Sequence, residues 1–164
     1  MTARCVSNWL NITSSAAKGA VIIGCDGLGR FMGRLFQQLG ESVVMIDTDP
    51  DACKKAEADN LPVFQSSALD TEVLAEAGIE SMGTFLALTN NGEVNLVLAQ
   101  RAAEEFKPPR VLAAFPQNNS TEGNSASKVS QALISQLPIK IWNSYIDDGQ
   151  IKLGRTIIQE SDFS

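Results

Sequence analysis

Short apolar runs recur along the first two thirds of the chain, and longer stretches with helical spacing separate them. The runs lie at 20–23, 42–46, 63–65, 84–89 and 111–115. A short apolar run rich in β-branched residues is typical of a strand that is buried on both faces of a parallel sheet. The pattern therefore predicts five such strands.

The stretch between the first two strands has the clearest helical spacing. Its apolar residues recur every three or four positions, which places them on one face of a helix, and Gly40 follows as a stop. These residues are Leu28, Phe31, Met32, Leu35, Phe36 and Leu39. We predict a helix over 28–39.

Three further helices are predicted from their start and stop signals. Asp49 caps a helix that begins at Pro50 and runs to 59, and Asp70 caps a short helix that ends before Gly78. The last of the three covers 93–106 and ends before Pro108. Strands that alternate with helices form βαβ units, so the predicted fold class is α/β, with a doubly wound parallel sheet and helices on both faces.

The composition changes after Pro116, where Gln, Asn, Ser, Thr and Gly dominate through residue 125. Such a segment is typical of a linker. A helix at 126–136 and a strand at 139–142 are predicted after it, and the pair Asp148-Gly149 indicates a hairpin within 145–164. We expect an N-terminal lead-in at 1–19, a doubly wound α/β domain at 20–116, and a linker with a short C-terminal extension at 117–164.

Composition and charge exclude several classes of protein. The 164 residues, 44% of them hydrophobic, fit one domain and exclude a large two-domain enzyme. A net charge of -6 without a basic cluster argues against binding to nucleic acid. The sequence has neither an apolar stretch long enough to span a bilayer nor a signal peptide, so a cytoplasmic location is expected, with the inner face of the membrane as a place of action through a transporter.

Few residues are suited to acid–base or metal chemistry. The chain has no histidine, and its three cysteines form no Cys-x-x-Cys pair. Its single tyrosine, Tyr145, has no lysine four residues later. A small NAD-dependent oxidoreductase is therefore a weaker alternative than a binding domain, and we expect neither a catalytic residue nor a metal site.

The turn from the first strand into the first helix is rich in glycine and reads Gly24-Cys25-Asp26-Gly27-Leu28-Gly29. Glycines at such a turn let backbone N–H groups approach a phosphate, and the helix N-terminus adds partial positive charge. Asp26 stands where the usual motif has its second glycine, so its carboxylate should disfavour a pyrophosphate. A dinucleotide, a mononucleotide and an empty, vestigial pocket all stay open.

The second strand ends at Asp47, 18 residues after Gly29. A carboxylate about 20 residues beyond the glycine motif typically binds the ribose diol and disfavours NADP. The alternative is purely structural, with Gly24 and Gly29 serving helix packing and Asp47 capping a turn. Cys25 lies at a helix N-terminus, which favours a lowered thiol pKa, although a simple packing role is the stronger interpretation.

With these residues in place, the region 18–115 resembles the regulator of potassium conductance (RCK) or TrkA N-terminal (TrkA-N) family. The matching segments are 21–24 with 28–30, 44–47, 74–80 and 84–95. The flanks 9–12, 137–145 and 152–154 look like those of the domain in bacterial-type sodium/proton antiporters. The third strand of the family usually ends in Gly-Asp near the adenine or ribose, whereas this chain has Ser66-Ser67.

The resemblance implies a cytosolic regulatory domain of a monovalent cation transport system, either potassium transport or sodium/proton antiport. It implies NAD(H) or an adenine nucleotide (AMP, ADP or ATP) as ligand, a membrane transporter or channel subunit as partner, and a homodimer. A ligand-free dimerisation module is the alternative. The candidate ligand-binding residues are Gly24, Asp26, Gly27, Leu28, Gly29, Arg30, Asp47, Thr48, Ser66, Ser67, Ala68, Thr89 and Asn90.

Overall fold

The computed structural model describes residues 17–115, 129–132 and 138–151. Its centre is a six-stranded parallel sheet in the order β3-β2-β1-β4-β5-β6. The strands are β1 (Ala20–Ile23), β2 (Val43–Asp47), β3 (Val63–Gln65), β4 (Thr84–Ala87), β5 (Arg110–Ala113) and β6 (Val129–Gln131). The five predicted strands and the doubly wound, Rossmann-like fold class are confirmed.

Helices join the strands from β1 to β5, and the two predicted aspartate caps are in place. The Asp49 side chain accepts a hydrogen bond from the Asp51 N–H, and that of Asp70 accepts one from the Glu72 N–H. The helices are α1 (Gly27–Gln38), α2 (Pro50–Ala58), α3 (Thr71–Glu76), α4 (Gly92–Glu105) and α5 (Ile139–Asp147), with a short 3₁₀ turn at Ile79–Ser81.

Both faces of the sheet are buried under helices. Successive side chains of a strand point to opposite faces, so neighbouring residues enter different cores. Val21 and Ile23 of β1 pack into one core with residues of α3 and α4, such as Leu98. Ala20 and Ile22 pack into the other core with residues of α1, α2 and α5. Helices therefore cover the sheet on both faces, as predicted.

The predicted helix over 126–136 is wrong at its centre. Residues 129–131 form β6, which pairs in parallel with β5 through Val111 and Val129. The edge of β5 supplies backbone partners for the added strand, and Val129 packs against the first core. Residues 126–128 and 133–136 of the predicted helix lie outside the described residues, as does the predicted linker at 117–125.

The predicted strand at 139–142 is also wrong, because these residues begin α5. The local sequence alternates apolar and polar residues only briefly. Over the longer stretch, Ile139, Trp142 and Ile146 recur at helical spacing and pack together against the second core.

The hairpin predicted around Asp148-Gly149 is replaced by a helix end. Gly149 adopts a left-handed backbone, with φ of 67°, and its N–H donates to the Ile146 carbonyl. The Gln150 N–H donates to the Tyr145 carbonyl, which completes a Schellman-type termination of α5. Residues 152–164 lie outside the described residues, and the domain divisions at 19 and 116 stay predictions.

Candidate functional site

A cleft of about 220 Å³ opens at the carboxyl ends of β1 to β4, where the strand order reverses between β1 and β4. This switch point is the usual ligand position in a doubly wound sheet. Six candidate residues line the cleft: Asp47, Thr48, Ser66, Ser67, Ala68 and Thr89. Sequence reasoning missed its apolar lining, which comprises Ile23, Ile46, Leu69, Val94 and Leu98.

The glycines of the turn are required by close packing. A Cβ on Gly29 would lie 1.9 Å from the Gly24 carbonyl oxygen. Gly24 itself has φ of 107°, and a Cβ there would lie 2.9 Å from the Leu88 carbonyl oxygen. The structural interpretation of these two glycines therefore holds whether or not a ligand binds.

Asp47 lines the cleft, and its carboxylate fixes the loops around it. Its Oδ2 accepts a hydrogen bond of 2.7 Å from the Cys25 N–H, and its Oδ1 accepts one of 3.0 Å from the Asp49 N–H. The carboxylate thus links the glycine-rich turn to the end of β2. Its contact with a ribose stays a prediction.

Asn95 on α4 holds the loop after β4 through hydrogen bonds. Its fully buried side chain accepts hydrogen bonds from the N–H and hydroxyl of Thr89 and donates to the carbonyls of Thr89 and Ala114. Every polar atom of this amide is satisfied, so the loop after β4 is held in one position. The asparagine of the matching segment 84–95 therefore has a structural role.

The start of α1 is in contact with α5 rather than with the cleft. The Asn143 Oδ1 accepts a hydrogen bond of 2.8 Å from the Leu28 N–H, and its Nδ2 donates to the Asn90 Oδ1 at 3.0 Å. Asn90 in turn donates to the Asp26 carboxylate. No local pattern in the sequence identified Asn143 as a site residue, because it reaches Leu28, 115 residues away in the chain, only through the packing of α5.

Burial and charge affect the acidic and thiol groups of the turn. The pKa of Asp26 is raised by burial and by the negative charge of Asp47, although the hydrogen bond from Asn90 opposes the shift. The pKa of Cys25 is raised by burial and by Asp47, and the thiol has no exposed surface. The interpretation of Cys25 as a thiol of lowered pKa is therefore wrong, and the packing role is the better account.

Arg30 points away from the cleft. One terminal nitrogen of its guanidinium lies 3.3 Å from the Asp59 carboxylate, and the other lies 2.7 Å from the Asp147 carboxylate. The cleft and the α1 terminus are therefore two neighbouring parts of the candidate site. The cleft is open, whereas α5 covers the α1 terminus.

Known proteins with related sequences belong to potassium transport systems. A Trk system potassium uptake protein TrkA of Streptomyces coelicolor is 31% identical over 94 residues, which cover 57% of this chain and 42% of that protein. A glutathione-regulated potassium-efflux protein KefC of Cronobacter sakazakii is 22% identical over 85% of this chain and 21% of its own length. The chain thus spans less than half the length of either relative.

Solved structures share the fold at low sequence identity. The TrkA-N domain of the inner membrane protein YbaL from Escherichia coli aligns with a TM-score of 0.55 and 14% identity, over 63% of this chain and 77% of that one. An NAD(P)-binding domain from Archaeoglobus fulgidus aligns with a TM-score of 0.61 and 13% identity, over 81% and 98% of the two chains. Among the described residues, no helix has the length and apolarity needed to cross a bilayer. Residues 20–133 match the model of the TrkA-N domain family, and the chain belongs to that family.

Proposed function

We propose that this chain is the regulatory, nucleotide-binding domain of a monovalent cation transport system and that it has no catalytic activity of its own. The observation that carries the proposal is the open cleft at the switch point, with the Asp47 carboxylate at the end of β2 and Ser66 and Ser67 after β3. Carboxylate and hydroxyl groups among apolar side chains suit a ligand with a flat base and a sugar. The proposed ligand is an adenine nucleotide or NAD(H).

The transport role rests on family membership and on the names of the relatives. Both are components of potassium uptake or efflux systems, so a membrane transporter or channel subunit is the proposed partner, at the inner face of the membrane. The flanking segments that look like those of sodium/proton antiporters make antiport an alternative to potassium transport. An alcohol dehydrogenase from Thermus sp. ATN1 aligns with a TM-score of 0.53 and 16% identity, over 92% of this chain and 47% of that one, and this likeness supports the fold alone. The chain contains no histidine and therefore lacks the commonest proton donor.

A thermal-shift screen with NAD, NADH, AMP, ADP and ATP tests the nucleotide proposal. A ligand at about 100 times its Kd should stabilise the native chain by about 2.7 kcal/mol and raise the unfolding midpoint by several degrees. The matched control is the same screen with an Asp47→Ala variant, whose response to the same ligand should be smaller. No shift with any of the five compounds would refute nucleotide sensing.

One observation favours a second candidate, a ligand-free dimerisation module. The Asn143 side chain occupies the N–H of Leu28 at the start of α1, where a phosphate would otherwise bind. A module of this kind would self-associate in the absence of nucleotide and would show no shift in the screen.

A further inference from the structure

Helix α5 packs against α1 and lies over the glycine-rich turn. Ile139, Trp142 and Ile146 anchor one side of α5 in the second core. Asn143 lies between these anchors in sequence and is only 8% exposed, although its amide is polar. The helix therefore brings a polar side chain into the buried contact at the turn.

The amide of Asn143 satisfies a group that a ligand phosphate would need. The first N–H groups of a helix have no partner within it and carry partial positive charge, so they attract anions. Here the Leu28 N–H donates to the Asn143 Oδ1 at 2.8 Å. A Cβ on Gly27 would lie 2.9 Å from the Asn143 carbonyl oxygen, so the backbone of α5 also approaches the turn closely.

The charges around the turn also disfavour a phosphate while α5 is docked. Asp147 on α5 pairs with Arg30 at 2.7 Å, and Asp59 takes the other terminal nitrogen of the same guanidinium. The Arg30 guanidinium, in the first turn of α1, is thus already paired with two carboxylates. The Asp26 carboxylate adds negative charge on the other side, where Asn90 holds it.

The cleft beside the turn remains open. None of its lining residues belongs to α5, and Asp47, Ser66 and Thr89 border it while the helix is docked. The two halves of the candidate site therefore differ in accessibility. The half suited to a base and ribose is open, and the half suited to phosphates is covered.

We propose that α5 is an intramolecular lid over the phosphate-binding end of the site, with Asn143 and Asp147 as its two latches. With the lid docked, the site accepts a nucleoside. A ligand with a 5′-phosphate binds only as Asn143 leaves the Leu28 N–H and Asp147 releases Arg30. Ligand binding is thereby converted into movement of α5, which gives a regulatory domain its output. This inference rests on the proposed function.

Calorimetric titrations of the full chain with adenosine, AMP and NAD test the lid. Asn143→Ala and Asp147→Asn should each tighten AMP and NAD by about three- to tenfold, the range expected from the loss of one competing hydrogen bond. Adenosine affinity should not change. Ser144→Ala is the matched control, because Ser144 is exposed on α5 and pairs only with Asp148 among the described contacts. It should leave all three affinities as they are.

Hydrogen exchange of the α5 amides supplies a second measurement that does not depend on the variants folding equally well. AMP and NAD should increase exchange in Ile139–Asp147 of the unmodified chain, and adenosine should not. If AMP binds but neither increases hydrogen exchange in α5 nor binds more tightly to Asn143→Ala, the lid proposal is wrong while nucleotide binding stands. If none of the three compounds binds to any variant, the proposed function fails, and the lid fails with it.

Discussion

At the scale of single residues, Asp47 combines a structural role with a candidate binding role. Its two oxygens accept hydrogen bonds from the Cys25 and Asp49 N–H groups, and the residue also lines the open cleft. A carboxylate has about four acceptor sites, so two backbone bonds leave capacity for the hydroxyls of a ribose. The structural interpretation and the ligand-binding interpretation of Asp47 are therefore compatible.

Substitution of Asp47 should affect both affinity and stability. Asp47→Ala removes a charged acceptor from the proposed ribose position, and we expect AMP binding to weaken by about 1.5–3 kcal/mol, or roughly 10- to 160-fold. The melting temperature should fall as well, because two N–H groups lose their partner. Asp51→Asn is the control, since Asp51 is well exposed at the start of α2 and does not line the cleft. Unchanged calorimetric affinity in Asp47→Ala would place the ribose elsewhere.

Asp26 should make stability depend on pH. Its pKa is raised in the folded chain, so the native state binds the proton more tightly than the unfolded state. The stability that this group contributes is complete below the usual aspartate pKa and is lost as pH rises through the raised value. Asp26→Asn should therefore raise the melting temperature at neutral pH, and the gain should vanish below about pH 4. Melting curves across this range, with Asp148→Asn for comparison, provide the measurement; a gain independent of pH would contradict this account.

The sequence predicts some site residues far better than others. Asp47 is identified by its distance from the glycine-rich turn, because the geometry of a βαβ unit fixes where the second strand ends. Ser66 and Ser67 are identified by their position after the third strand. Asn143 carries no such signal, because it is 115 residues from Leu28 and reaches it only through the tertiary packing of α5.

At the scale of secondary-structure elements, the strands with two buried faces are the most predictable part of the fold. β1 and β4 are fully buried, and their residues are apolar except for Thr84 at the start of β4. β6 is different, since it has three residues and its partly exposed pattern includes Ser130 and Gln131. The conformation of β6 depends on its pairing with the edge of β5. The local sequence of 129–131 does not reveal that pairing. The sequence did not predict α5, because the helical spacing of its apolar residues becomes visible only over the full length of 139–146.

The packing of α1 against β1 should depend on one glycine in particular. Gly29→Ala places a Cβ 1.9 Å from the Gly24 carbonyl oxygen, and backbone atoms there have no room to move aside. We expect a loss of at least about 3 kcal/mol in the free energy of unfolding, or failure to fold, as for a severe steric conflict in a core. Gly33→Ala on the same helix is the control, because its Cβ meets the side-chain methyl groups of Leu61 at 3.0 and 3.2 Å. If urea unfolding showed equal stability for the two variants, the special requirement for glycine at position 29 would be contradicted.

At the scale of the whole molecule, α5 has apolar residues both against the core and at the surface. Ile139 and Trp142 pack against the core of their own chain. Ile141 and Tyr145 lie on the opposite side and are 37% and 40% exposed. These two residues are four positions apart and therefore adjacent on the helix surface. They are candidates for contact with a second copy of the chain.

We expect the chain to form a symmetric dimer that uses this surface of α5. A domain without catalytic groups produces a response only if its ligand favours one conformation or assembly over another. Most assemblies of identical chains are symmetric, and dimers are the commonest of them. Sedimentation equilibrium at micromolar concentration should give the mass of two chains, and AMP should change the association constant if α5 moves on binding. Ile141→Asp should weaken association by at least about tenfold, because it places a charge in an apolar contact. Ser144→Ala, on the adjacent exposed surface, should have no such effect. A strictly monomeric chain whose sedimentation ignores nucleotide would contradict the regulatory proposal, since neither binding nor movement of α5 would then alter an assembly.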